Sequence, residues 1–164
     1  MKRNAPYYLL VLVLLALDQT AKAVIVRSLG HYGSIQVIPG FFSLSRVHNK
    51  GAIFGMFNRM DGPLITVLLT VASLVALVMV VVYFFKTPSS EKWMKISLAF
   101  ILGGALGNLT DRIVRGYVVD FLEFSVGRYR WPTFNVADSC ISLGAVLLIV
   151  VFLVRRPSHV SHPD

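Results

Sequence analysis

The chain has 164 residues, 55% hydrophobic and 15% charged, with a formal net charge of +8 and a mean hydropathy of +0.69. That balance excludes an ordinary soluble domain, and the Lys and Arg residues sit at the ends of apolar runs without forming a basic stripe, so membrane phospholipid fits them better than nucleic acid. The expectation is one membrane-embedded domain, 1–164: an all-α protein of four transmembrane helices with a small antiparallel β-sheet on its outer face.

The first apolar run, 6–26, follows Lys2 and Arg3 and contains Ala21-Lys22-Ala23, which imitates a cleavable secretory leader. Asp18 and Lys22 stand four apart in the order that favours a helical ion pair, and apolar character resumes at Val24, so a retained helix is the better reading. In the connection that follows, Pro39-Gly40 marks a turn between short runs of strand-forming residues, predicting an antiparallel β segment over about 31–58. Asp61-Gly62-Pro63 then supplies a cap and a first-turn proline for the second run, 63–85.

A short polar linker leads into the third run, 93–114, where Gly103 and Gly107 form a GxxxG pair that lets another helix approach closely. Asn108, Asp111 and Arg112 follow at spacings of three and four, on one helical face near the end of the run. Asp111 reads as polar glue within the bundle. Asn108 and Arg112 read equally well as glue or as contacts to a ligand. The fourth run covers 135–154, and its only cysteine, Cys140, is a small buried apolar residue with no disulfide partner in the chain.

Four spans put both termini on one side. Lys2, Arg3, Lys86, Lys92, Lys95, Arg155 and Arg156 crowd three short segments, which by density places those segments in the cytoplasm. Asp120 then lies beyond the outer end of the third helix. Asp138 lies about one turn into the fourth run, too deep for a helix cap, at about the same depth as Asp120. Two carboxylates in a poorly hydrated site share a proton, which suits hydrolysis of an amide by an activated water. It suits a proton or cation relay in a small transporter equally well, although no repeated halves accompany these acids. His31, His48, His159 and His162 lack metal-ligand spacing, no histidine is placed to activate a serine, and no phosphate loop is present, so neither metal nor cofactor is expected.

Five separated blocks run in order along the chain: DQTAK at 18–22, NKGAIFG at 49–55, GGALGNLTDR at 103–112, VVDF at 118–121 and FNVADSCISLGA at 134–145. On these blocks the chain resembles bacterial lipoprotein signal peptidase, or signal peptidase II, a membrane aspartic endopeptidase of four helices. The resemblance implies cleavage of a diacylglyceryl-modified precursor lipoprotein immediately before the lipidated cysteine. It implies Asp120 and Asp138 as the catalytic pair, with Asn49, Gly51, Asn108, Arg112 and Asn135 lining the substrate site and Asp18 and Lys22 serving structure. It also implies an extracytoplasmic cradle for the β segment, and an active site toward the outer leaflet of the bacterial inner membrane. A monomer without cofactor is expected.

Overall fold

The computed structural model describes residues 4–31, 33–50 and 63–154. Its elements in chain order are α1 (Ala5–Ser28), β1 (Ser34–Ile38), β2 (Phe42–Asn49), α2 (Pro63–Lys86), α3 (Lys92–Arg115), β3 (Val118–Val126), β4 (Tyr129–Arg130) and α4 (Val136–Val154). The predicted runs therefore match the helices to within two residues at each end.

Among the described residues, three helices, Ala5–Ser28, Val67–Lys86 and Val136–Val154, are long and apolar enough to cross a membrane. Their outward side chains, such as Leu9, Leu12, Met79 and Leu153, are well exposed, as lipid-facing residues are. The chain is an integral membrane protein. The fourth expected span, α3, has the same 24-residue length as α1 but carries Lys92, Lys95, Asp111, Arg112 and Arg115.

Those charges are tolerated because α3 is the centre of the bundle, packed against α1, α2 and α4. Lipid tails are as apolar as the side chains, so helices in a bilayer associate through close backbone approach more than through hydrophobic burial. Glycine supplies that approach here. A Cβ on Gly103 would lie 2.8 Å from the Leu14 Cβ of α1, and one on Gly107 would lie 2.5 Å from Asp18 Oδ2. On the neighbouring face, a Cβ on Gly104 would overlap the Ala137 carbonyl of α4, and one on Gly144 would come within 2.7 Å of the Ser97 carbonyl. The expected GxxxG contact is thus chiefly with α1, and α4 packs on the adjoining face of the same stretch of α3, reaching Gly107 through Ala137.

The sheet is antiparallel, in the order β1-β2-β3-β4. Its β1–β2 hairpin turns at Gly40, in the left-handed region at φ 73°, as the sequence predicted. Residues 118–130 were not expected to be strands, yet β3 pairs with β2 from Val118 to Phe124, with Val47 opposite Asp120 and Asn49 opposite Val118, and with β4 beyond. The expected β segment of 31–58 is therefore only part of the sheet, and positions 51–58 lie outside the described residues. The β2–β3 register shifts between Leu44 and Val47, and this bulge contains the buried Arg46. Arg46 Nη1 donates to the carbonyls of Val26 (3.2 Å) and Leu29 (3.1 Å), binding the sheet to the end of α1. Gly116, with φ 76°, ends α3 in a left-handed cap and turns the chain directly into β3.

Candidate active site

Two helix ends and two strands meet where α3 passes into β3 and α4 begins. Strand β3 is held against the start of α4 by backbone bonds: Phe121 and Leu122 N–H donate to the Phe134 carbonyl (2.9 and 2.8 Å), and Phe134 N–H donates to Leu122 (3.1 Å). This places Asn135 beside Asp120.

The fully buried Asn135 connects the two expected acids. Its Nδ2 donates to Asp120 Oδ1 at 2.7 Å, its Oδ1 accepts the Asp138 backbone N–H at 2.9 Å, and its backbone N–H donates to Asp138 Oδ2 at 3.2 Å. The last two bonds form a reciprocal capping box at the start of α4. Asp138 is therefore part of a cap, contrary to expectation. Capping leaves Asp138 Oδ1 to accept from Asn108 Nδ2 at 2.7 Å, so its second oxygen serves the site.

Asp120, almost fully buried, accepts a second bond from Asn49 Nδ2 at 2.9 Å. Asn49 is the diagonal neighbour of Asp120 across the β2–β3 ladder, on the same face of the sheet. Burial, followed by the nearby Asp138 carboxylate, pushes Asp120 up from the ordinary carboxylate range to about 7; the hydrogen bonds from Asn49 and Asn135 and the charge of Lys22 act in the opposite direction.

Beneath the acids lies a dry ionic cluster. Lys22 Nζ is 2.8 Å from Asp18 Oδ2 and 2.9 Å from Asp111 Oδ2, with all three side chains fully buried, and it donates to Asn108 Oδ1 at 3.1 Å. The predicted Asp18–Lys22 pair is present. Each carboxylate also holds a backbone: Asp18 Oδ1 accepts Ala137 N–H (2.9 Å) at the start of α4, and Asp111 Oδ2 accepts Val119 N–H (3.0 Å) next to Asp120. Arg115 pairs with Asp111, and Gln19 bridges Asp18, Asp111 and the Gly107 carbonyl. Sequence reasoning passed over Gln19 and Arg115; the i, i+4 spacing of Asp111 and Arg115 was the available signal.

The expected common face of Asn108, Asp111 and Arg112 is shared only in part: Asn108 and Asp111 both reach Lys22, and Arg112 does not. Asp111 points to α1 and β3, whereas Asn108 and Arg112 line a groove of about 260 Å³ between α2, α3 and α4, with Leu77, Val80, Ile101 and Ile141 as its apolar walls. Adjacent helical positions point about 100° apart, which separates Asp111 from Arg112. The guanidinium of Arg112 lies within electrostatic reach of Asp138 and Asp120. Of the expected site residues, Asp120, Asp138, Asn49, Asn108, Arg112 and Asn135 come together; Gly51 lies outside the described residues.

The sequence pattern of the Signal peptidase (SPase) II family matches residues 10–154. The chain belongs to that family, and it is therefore a protease. Family relatives include the lipoprotein signal peptidase of Alteromonas mediterranea, 45% identical over 134 residues that cover 82% of this chain and 72% of the relative. That of Burkholderia mallei is 38% identical over 145 residues, 88% and 86% of the two chains. A bacterial membrane enzyme solved by the in meso method at 1.9 Å resolution superposes with a TM-score of 0.80 at 28% identity, over 93% of this chain and 95% of its own.

Proposed function

We propose that the chain is a membrane aspartic endopeptidase that removes the signal peptide from diacylglyceryl-modified prolipoproteins, cutting before the lipidated cysteine with a water activated by Asp120 and Asp138. The observation that carries this reading is the bridge through Asn135, whose side-chain amide holds the buried Asp120 carboxyl while its backbone N–H holds the half-buried Asp138 carboxyl, so that one residue joins two acids from different elements. The ionised partner takes a proton from water and the protonated partner polarises the scissile carbonyl, with no covalent intermediate. Water is present at the outer interface, and the diacylglycerol chains anchor the scissile bond at that depth.

The geometry supports a bundle of four spans with α3 among them. The Tyr7 hydroxyl near the start of α1 reaches the Ser89 carbonyl in the α2–α3 linker at 3.5 Å, whereas the ends of α1 and α3 and the residues leading into α4 meet the sheet at the opposite pole. With the Lys-rich linker in the cytoplasm of a bacterial cell, the acids and the sheet face the outer leaflet of the inner membrane and both termini are cytoplasmic. In this reading Asn49, Gly51, Asn108, Arg112 and Asn135 line the substrate site, and the protein acts as a monomer on phospholipid-embedded substrate.

The test is direct. Purified protein in detergent is incubated with a lipidated precursor, and the size of the product is read on a gel. Release of a signal peptide by the wild type, with none from Asp120→Asn or Asp138→Asn, is expected. Full cleavage by either variant would refute the dyad.

A further inference from the structure

The two acids differ in what stands behind their hydrogen-bond donors. Among the described residues each accepts two side-chain or backbone bonds: Asp120, on strand β3, from Asn49 and the Asn135 side chain, and Asp138, at the first turn of α4, from Asn108 and the Asn135 backbone. The start of a helix carries partial positive charge that favours a carboxylate over a carboxylic acid, and a strand offers no equivalent.

The donor to Asp138 is also fixed in orientation. An amide presents either an acceptor or a donor edge, and Asn108 would be free to turn over if its neighbours allowed. They do not. Its Oδ1 faces the ammonium of Lys22 at 3.1 Å and Nδ2 of Asn135 at 3.1 Å. An ammonium has donors only, so a flipped Asn108 would set donor against donor at Lys22 and oxygen against oxygen at Asp138. The NH2 edge of Asn108 must therefore face Asp138, where it lies 2.7 Å from Oδ1.

We infer that Lys22, acting through Asn108, holds Asp138 as the ionised member of the pair, making Asp138 the general base and Asp120 the general acid. The inference rests on the peptidase reading above and assigns the roles that reading leaves open. Attacking water gives one proton to Asp138 and forms the new C–O bond, while Asp120 gives its proton to the carbonyl oxygen. In the resulting gem-diol, Asp138 returns its proton to the leaving nitrogen as the C–N bond breaks, and Asp120 recovers a proton from one hydroxyl. The acid and amine products leave both groups as they began. The elevated position of Asp120, at about 7, agrees with its holding a proton at rest.

Lys22 is thus a positioning residue. Other charges facing the pair are Asp18 on α1 and Asp111, Arg112 and Arg115 on α3, with His48 of β2 paired opposite Val119. Asp18 and Asp111 offset much of the Lys22 charge, so its influence travels chiefly through the orientation of Asn108.

The test measures the pH profile of kcat/KM on a lipidated precursor for the wild type, Lys22→Met combined with Asp18→Asn, and Asp18→Asn alone. The double variant removes the cation together with one buried anion and keeps an acceptor for Ala137 N–H. Its acid limb should move up by about one pH unit, because the ionised base loses its support, while Asp18→Asn alone should not move it up. A reduced rate with an unmoved acid limb would reduce Lys22 to a structural role and overturn the inference.

A second measurement holds even where the double variant fails to fold. The infrared band of the protonated carboxyl, followed against pH in Asp120→Asn and in Asp138→Asn, should vanish at lower pH in the first, where Asp138 remains. The reverse order overturns the assignment. Failure of the wild type to cleave precursor would instead refute the peptidase reading, and the infrared order would still report on the two acids.

Discussion

Gly104 faces the first turn of α4, one residue from the Asp138 backbone, and Gly104→Ala tests whether catalysis depends on how closely α3 and α4 approach. The added Cβ would overlap the Ala137 carbonyl and come within 2.8 Å of Ile141 Cγ1. Ordinary contact requires the two helices to part locally by about 1 Å, a displacement for which catalytic rates fall on the order of 10²-fold. Overpacking of this kind also costs about 1–3 kcal/mol of stability. Gly103→Ala is the matched control, since its Cβ would meet Leu14 Cβ on α1 at 2.8 Å, away from Asp138. Both variants should lower the thermal midpoint in detergent by similar amounts. In a fluorogenic assay with a lipidated peptide, only Gly104→Ala should lose about two orders of magnitude in kcat/KM. Equal losses in the two variants, or a Gly104→Ala rate within threefold of wild type, would show that the α3–α4 spacing does not set the geometry of the pair.

Asp120→Asn and Asp138→Asn should each reduce turnover to background in the same assay, and the double variant should be hardly worse than either single one, because the two act as a unit. The alkaline limb of kcat/KM should fall near pH 7, where Asp120 loses the proton it donates. Because burial raises its value in the folded state, Asp120 contributes stability that is fully present below about 4 and lost as pH rises through about 7; the thermal midpoint should fall across that window, and Asp120→Asn should flatten the decline. Arg112→Ala should raise KM severalfold while leaving the acid limb within about 0.3 pH units, since Arg112 lines the groove and makes no ion pair to either acid among the described residues.

The parts of this molecule that could be read from sequence are those set by local periodicity. Apolar runs of about 20 residues specify helices whatever surrounds them, and Asp18 and Lys22, four apart on one helix, form a pair whose geometry is local. Strand β3 was not legible because VVDFLEF is a short apolar run that gains strand geometry only from pairing with β2. The same run contains Asp120, which stood out as a candidate acid while its strand was missed. The Asn135–Asp138 cap was obscured for a different reason: it lies where polar residues pass into lipid-like sequence, and its role is decided by the Phe134–Leu122 bonds, which no local pattern encodes. The five ordered blocks pointed to the site residues as a set; the contacts that join them are long-range.

Among the described residues, α2 packs chiefly against α3 and meets α1 through Tyr8 beside Phe84 and Phe85 near its linker end. At its linker end it is fastened by Lys95, whose ammonium donates to the Phe84 carbonyl and lies 4.0 Å above the Phe84 ring. The acids, by contrast, are carried by β3 and α4, which are tied through Asp111 and Asp18 to α3 and α1. The bundle is thus a three-helix frame with one leaf fastened at the linker edge. Swinging that leaf outward exchanges side-chain contacts for acyl chains of similar polarity, so the motion carries little hydrophobic penalty. It would widen the groove at Asn108 and Arg112 toward the bilayer while leaving Asp120 and Asp138 where they stand. Under the proposed function, a lipid-anchored substrate held in the bilayer would then reach the acids sideways, without its lipid chains crossing water.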